Sequence, residues 1–341
     1  DEIAEGSKAK DAFWRLLPNV LVGLAGVALD LWMGIQAGPG AVEHGVTTPE
    51  LVAAMSGVHA RYLANLALPL WLSLDYGISP AGSLASPWTW LGLLSLAGAV
   101  LLLVVSLRRR WAIGVVGAGI WLIGLLPVNT VWPRTAILMA DRYLYVPAIG
   151  IFVLVALLLR RGRKGRTGAL VVLLVFFGGL AVMRTQRFQD SESVWSDATR
   201  KAPGSALAWF QAGEAAAGDG KWELAHARAA KSFELATRPE LRVKSGLLLA
   251  GSELGRLSER HQQGTPIRRE DLGPIGKQTT EVLRLAEALD ELPLVKQDPR
   301  EVQAEAYVLT GQVYELYQNP ARALEALSLI HISEPTRLWS G

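Results

Sequence analysis

Three short polar stretches in a largely apolar chain carry side chains with chemistry to offer. Asp141-Arg142-Tyr143 lies where a polar loop runs back into an apolar segment. Charges at such a boundary are costly and are usually paired. On one reading Arg142, joined by Arg134, grips a phosphate through the bidentate guanidinium fork, with Asp141 orienting it. On the other, Asp141 and Arg142 form a structural ion pair at a helix entrance, or Asp141 stabilises the helix N-terminus through its dipole, with Tyr143 and Tyr145 in an aromatic belt. Asp75-Tyr76 closes an earlier segment and either lines a cleft or caps and anchors a helix. Arg61, on the same segment, is a lesser phosphate candidate. Asp30 is a lone acid inside an apolar run, with no partner identifiable from sequence. His44, His59, His226 and His261 lack metal-ligand spacing and read as surface or packing residues. There is no P-loop, dinucleotide-binding glycine fingerprint or serine nucleophile elbow. With no Cys in the chain, Cys-based metal and redox sites are excluded.

The elements that would position these residues follow from how charge is distributed. Half of the 341 residues are apolar and 19% are charged, below the quarter or so usual in a soluble domain. Up to Met183 there are 14 Lys/Arg and 9 Asp/Glu among long apolar runs; beyond it, 20 and 22 are mixed as on a solvated surface. A single globular enzyme and a disordered chain are both excluded. The pattern predicts an all-α protein: a polytopic transmembrane bundle over 1–186, then an external helical domain over 187–327. Apolar runs at Phe13–Ile35, Trp88–Leu107, Trp111–Pro127, Tyr143–Leu159 and Gly168–Met183 are the candidate spans. Arg108-Arg109-Arg110 and the basic run Arg160–Arg166 belong on the cytoplasmic side, because Lys and Arg are retained there. The loop Val128–Arg142 and everything after Met183 then fall outside, which predicts a membrane protein, of the inner membrane in a bacterium, with its C-terminal half in the periplasm or, in a eukaryotic source, in the lumen. Leu51–Leu74, polar in its first half, suits an interfacial or re-entrant helix better than a crossing one. The short basic runs account for the high isoelectric point, so nucleic acid is not an expected partner.

The second half carries a repeated spacing. Trp209, Gly213 and Ala225 set an aromatic, a glycine four later and an alanine twelve beyond that; Tyr307, Gly311 and Ala323 repeat it, with Tyr314 at a further aromatic position. This is the tetratricopeptide pattern, in which small residues let two helices approach and aromatics fill the gap to the next repeat. Val194–Pro203 reads as the second helix of an earlier unit. His261–Gly276, with two prolines and three glycines, reads as a loop. Trp222 reads as a core residue rather than a sugar-stacking platform. Leu327–Gly341 abandons the helical pattern in mid-repeat. Over 328–341 it resembles translated sequencing-adapter read-through, the alternative being a natural tail. The chain opens on Asp1, which suggests that it begins inside a longer protein.

Three stretches in order, "RYLANLALPLWLSLDY" at Arg61–Tyr76, "WLIGLLPVNTVWP" at Trp121–Pro133 and "MADRYLYVPAIG" at Met139–Gly150, followed by a span and the repeats, resemble bacterial relatives of the transmembrane and tetratricopeptide-repeat O-mannosyltransferases, of the GT-C glycosyltransferase class. The resemblance covers most of Arg61–Leu327, and "DRYLYVP" followed by Gly is its most specific piece. It implies transfer of a sugar from a polyprenyl-phosphate donor to a polypeptide acceptor on the outer face. It places Arg142, Arg134, Asp141 and Arg61 as candidates for the donor phosphate, and Asp75 and Tyr76 in the acceptor cleft. It further implies a carboxylate base, often with a divalent metal, in the first external loop. That loop has no match here, and Asp1-Glu2 is no substitute, so no catalytic residue, metal site or cofactor is expected in this C-terminal part. The rival expectation is a non-catalytic membrane-anchored scaffold whose repeats recruit envelope proteins. A further rival is a polyprenyl-linked sugar ligase or flippase component.

Overall fold

The computed structural model describes residues 46–79, 82–125, 138–161, 166–290, 299–316, 322–324, 326 and 328. Among these residues the chain is helical with no strand. The expectations for Phe13–Ile35, Asp30, His44, Arg134 and the tail beyond Ser328 fall outside them.

In the first half α1 (Thr48–Ala67) starts with Pro49 in its first turn, and the Thr47 N–H donates to the Glu50 carboxylate at 2.8 Å. It ends because Leu68 precedes Pro69 and is held extended. The chain then runs without regular structure to Ser79. This corrects the expectation of one amphipathic helix over Leu51–Leu74. Nor does α1 lie on the surface: Ala53 through Ala60 are all buried. Its partners are the start of α2 (Pro87–Arg108), where the Thr89 hydroxyl donates to the Ala53 carbonyl, and the end of α3 (Ala112–Leu125), where the Trp121 indole N–H donates to His59 Nε2 at 3.1 Å.

α2 and α3 are joined by a tight turn. The Trp111 N–H returns to the Ser106 carbonyl at 2.8 Å and the Arg110 N–H to Leu107 at 3.2 Å, with Arg110 in the left-handed region at φ 50°. This is the Schellman closure, with arginine where glycine is usual. α3 packs antiparallel on α4 (Tyr145–Arg161), with Gly117 facing Gly150 and Leu154, and Gly124 facing Pro147. Arg108–Arg110 and the end of α4 therefore lie at the same end of the bundle. A 3-10 turn at Asp141–Leu144 leads into α4 at the opposite end. Val58, Tyr62, Trp121, Leu125, Met139 and Leu144 form the core there.

α5 (Arg166–Thr185) is apolar on every face. Among the described residues two helical stretches, Pro87–Arg108 and Leu170–Phe188, are long and apolar enough to cross a membrane. The second runs for 19 residues, about 28 Å against a hydrocarbon thickness of about 30 Å.

A 3-10 turn at Gln186–Phe188 leads to the second half: α6 (Ser191–Lys201), α7 (Ala206–Gly218), α8 (Trp222–Leu235), α9 (Pro239–Gln262), α10 (Arg269–Asp290) and α11 (Pro299–Leu316). Each packs on the next, and α9 also touches α7 and α11. Asp190 caps α6 through the Ser193 N–H at 2.7 Å, and the Ser205 hydroxyl caps α7 through Ala208 at 3.1 Å. The α7–α8 turn needs Gly220 at φ +71°. Gly213 then lies against Ala225 and Ala229, where the sequence spacing put the close approach, and a side chain at Gly255 would collide with the Trp222 ring. Trp209 is half-buried, its indole N–H donating to the Pro203 carbonyl at 2.9 Å. In the later match, Tyr307 is half-buried and Gly311 and Ala323 are buried.

The loop expected over His261–Gly276 is shorter than the sequence suggested, because α10 begins at Arg269 and includes Gly273, Pro274 and Gly276. Leu272, Ile275, Thr279, Val282 and Ala286 fall on one buried stripe. That apolar periodicity outweighs the one backbone bond that Pro274 forfeits.

Candidate functional site

The polar residues of the first half meet at the corner where the Leu68–Ser79 strap, the Asp141 turn and the start of the second half come together. Asp141 does not orient Arg142. Its carboxylate accepts from the Tyr76 hydroxyl, which in turn accepts from the Asn65 amide at 2.7 Å and from the Ser73 N–H at 3.1 Å. Arg142 is exposed and stacks on its neighbour Tyr143, with the guanidinium carbon 4.9 Å from the ring centre. Arg61 lies elsewhere, 5.0 Å over the Trp88 ring. Of the residues expected to gather around a donor phosphate, the described ones are therefore held apart. Burial pushes the Asp141 carboxyl above its ordinary 3.8, although the Tyr76 hydrogen bond and the Arg184 charge pull the other way. The same burial and the adjacent Asp141 raise the Tyr76 phenol.

Asp75 is buried and faces the second half. It accepts from the Ser205 hydroxyl and, at 3.1 Å, from the Gly77 N–H. It lines a cleft of about 260 Å³ between the halves, with Gly77, Leu138, Ser205 and Arg238 also on its wall. Tyr76 turns the opposite way, toward Asp141, so the expected acceptor-cleft pair is split. The Ser73 hydroxyl, buried beside this network, has no hydrogen-bond partner.

The second half reaches back through a basic cluster that sequence reasoning missed. Lys201 Nζ donates to the Leu72 carbonyl and to Asp197, both at 2.6 Å. Arg184 at 3.0 Å, Arg200 at 3.5 Å and, in closest contact, Arg187 surround the same carboxylate. Burial opposes charge on Asp197, but Lys201 and Arg187 outweigh it and hold the carboxyl below its ordinary range. Lys201 is itself held below its ordinary value, by burial and by the like charges of Arg184 and Arg187. Only the spacing of Asp197 to Arg200 and Lys201, three and four residues on one helix, was there to be read in the sequence.

Among the described residues no group of three His, Asp or Glu side chains is placed to hold a metal ion. His59 is a buried packing residue against Trp121, and His226 Nε2 lies 3.2 Å from Glu253. No protein-family model matches the chain, and neither a curated protein nor a solved structure matches it.

Proposed function

We propose that the chain is the C-terminal part of an integral membrane glycosyltransferase of GT-C type. The complete enzyme moves a sugar from a polyprenyl-phosphate donor to a polypeptide acceptor on the outer face. The helical pairs of the second half are tetratricopeptide-type repeats that hold the acceptor or a partner. One observation carries this reading: the described parts of the three stretches that bear the resemblance converge on one corner. Tyr62 of the first exchanges hydrogen bonds with the Ala140 backbone of the third, Trp121 of the second bonds His59 beside the first, and Tyr76 bonds Asp141. Arg142, exposed at that corner, is placed to meet a phosphate, and Asp75 lines the cleft open to an acceptor. In the complete protein, Arg142→Ala is expected to lower transfer from a polyprenyl-phosphate sugar far more than it lowers protein level. A parallel fall in both rejects the clamp.

The same corner also supports a second reading, a non-catalytic anchored scaffold. Asp141 and Asp75 are both engaged by side chains of the chain itself, as expected of a structural joint. A complete gene with no acidic pair in its first external loop would favour the scaffold. For the placement of the two halves, single cysteines at Gly162 and Gly218, in a chain with none of its own, are expected to label from opposite sides of the membrane. Labelling from one side rejects the arrangement.

A further inference from the structure

The basic cluster at the foot of α6 is larger than its own carboxylates require. Arg184, Arg187, Arg200 and Lys201 all pair with Asp197. Asp141 also feels Arg184 and Lys201. Four cations thus face two carboxylates, and positive charge is left over. The outer members are accessible: the side chains of Arg187 and Arg200 are 49% and 71% exposed, whereas Asp197 is 5% exposed.

Two independent features fix where this charge sits. The cluster begins where the apolar stretch Leu170–Phe188 ends, and Arg184 stacks 4.8 Å over the exposed Phe188 ring. The strap whose Leu72 carbonyl receives Lys201 turns Leu68, Leu70 and Trp71 outward, with Trp71 69% exposed. Exposed Trp and Leu beside Lys and Arg, at the end of an apolar helix, are the composition that settles at the headgroup level of a bilayer. Positive charge at that level attracts anionic lipid.

We propose that Arg187 and Arg200, backed by Arg184 and Lys201, form a binding surface for the phosphate of an anionic phospholipid headgroup, with the Leu68–Trp71 strap seated in the adjoining interface. The inference rests on the membrane reading of α5, not on glycosyl transfer.

The test uses the full chain in detergent, titrated separately with phosphatidylglycerol, phosphatidylcholine, a polyprenyl monophosphate and inorganic phosphate. Bound lipid is counted by native mass spectrometry. Phosphatidylglycerol is expected to bind and phosphatidylcholine not. Arg187→Gln with Arg200→Gln, which leaves Asp197 paired to Arg184 and Lys201, is expected to weaken phosphatidylglycerol about thirtyfold. The Arg187→Lys, Arg200→Lys chain restores it. Equal binding of the two phospholipids, or no loss in the glutamine variant, overturns the proposal. So does preference for the polyprenyl phosphate, or saturation by inorganic phosphate alone. Reconstitution into phosphatidylcholine vesicles separates the two ideas: a chain that fails to insert there refutes the membrane reading. A chain that inserts but shows no preference for anionic lipid refutes only the headgroup site.

Discussion

The two halves of the chain differ in what they leave exposed. Along α2–α4 the helices meet at glycines: Gly92, Gly114, Gly117 and Gly150 are buried, while Leu94, Leu101 and Ile123 there and Leu174 in α5 point outward, Leu174 at 77% exposure. In α6–α11 the order is the ordinary one, with Val243, Leu247, Leu257, Ile275 and Val282 buried and Lys, Arg and Glu side chains on the surface. Water would not tolerate the first arrangement over so large a contiguous area. On the proposed reading each half is correctly folded for its own solvent. Burial of apolar area drives the second half, whereas close backbone approach holds the first.

Substitutions can break or sharpen that contrast. The largest effect is expected at Arg228, buried in the second half, which grips Glu192 at 2.5 and 2.7 Å and donates to the Ala212 carbonyl at 2.8 Å. Arg228→Met leaves Glu192 unpaired and should cost about 4 kcal/mol, measured by thermal or denaturant unfolding. The Arg228 hydrogen bond holds the Glu192 carboxyl below its ordinary 4.5, so this stabilisation is complete at neutral pH. It is lost as pH falls below 4.5 through the lower folded value, and the variant should lack that acid dependence.

In the first half the sensitive sites are the glycines. A Cβ at Gly92 would sit inside the Ser56 carbonyl, so Gly92→Val should cost about 3 kcal/mol or abolish folding in detergent. The outward leucines separate the two solvents. Leu174→Lys should impair membrane insertion by about 2.5 kcal/mol, read from the inserted fraction. Leu224→Lys, at an exposed leucine of the second half, should change stability by less than about 0.5 kcal/mol. Equal effects at the two sites would dissolve the contrast.

A small effect is also expected at the corner between the halves. Asp141→Asn keeps an acceptor for Tyr76 and should cost less than about 1 kcal/mol. It should also remove a slope. With the carboxyl raised by burial above 3.8, stability falls as pH rises through that window and levels off once the group is ionised. An unchanged profile in the variant would assign the slope to another group.

Local features of this fold were legible in the sequence and distant ones were not. The approach of Gly213 to Ala225 follows from spacing within one hairpin, and the apolar stretches announce themselves by length. The His261–Gly276 stretch misled because its prolines and glycines spoke more loudly than the stripe begun by Leu272 and Ile275. At the corner, adjacency suggested Asp141 with Arg142. The actual partner, Tyr76, lies 65 residues away, and no periodicity connects them. The basic cluster was hidden for the same reason, since Arg184 and Arg187 sit on different elements from Asp197.

The joints from Asp75 to Ser205 and from Lys201 to the Leu72 carbonyl cross between the halves at positions 130 and 129 residues apart in the chain. Two such joints, at separate points, oppose rotation of the array about either one. On the proposed reading, a polypeptide held along its surface would then be presented at a restricted stand-off and azimuth, so geometry would narrow which of its side chains comes within range.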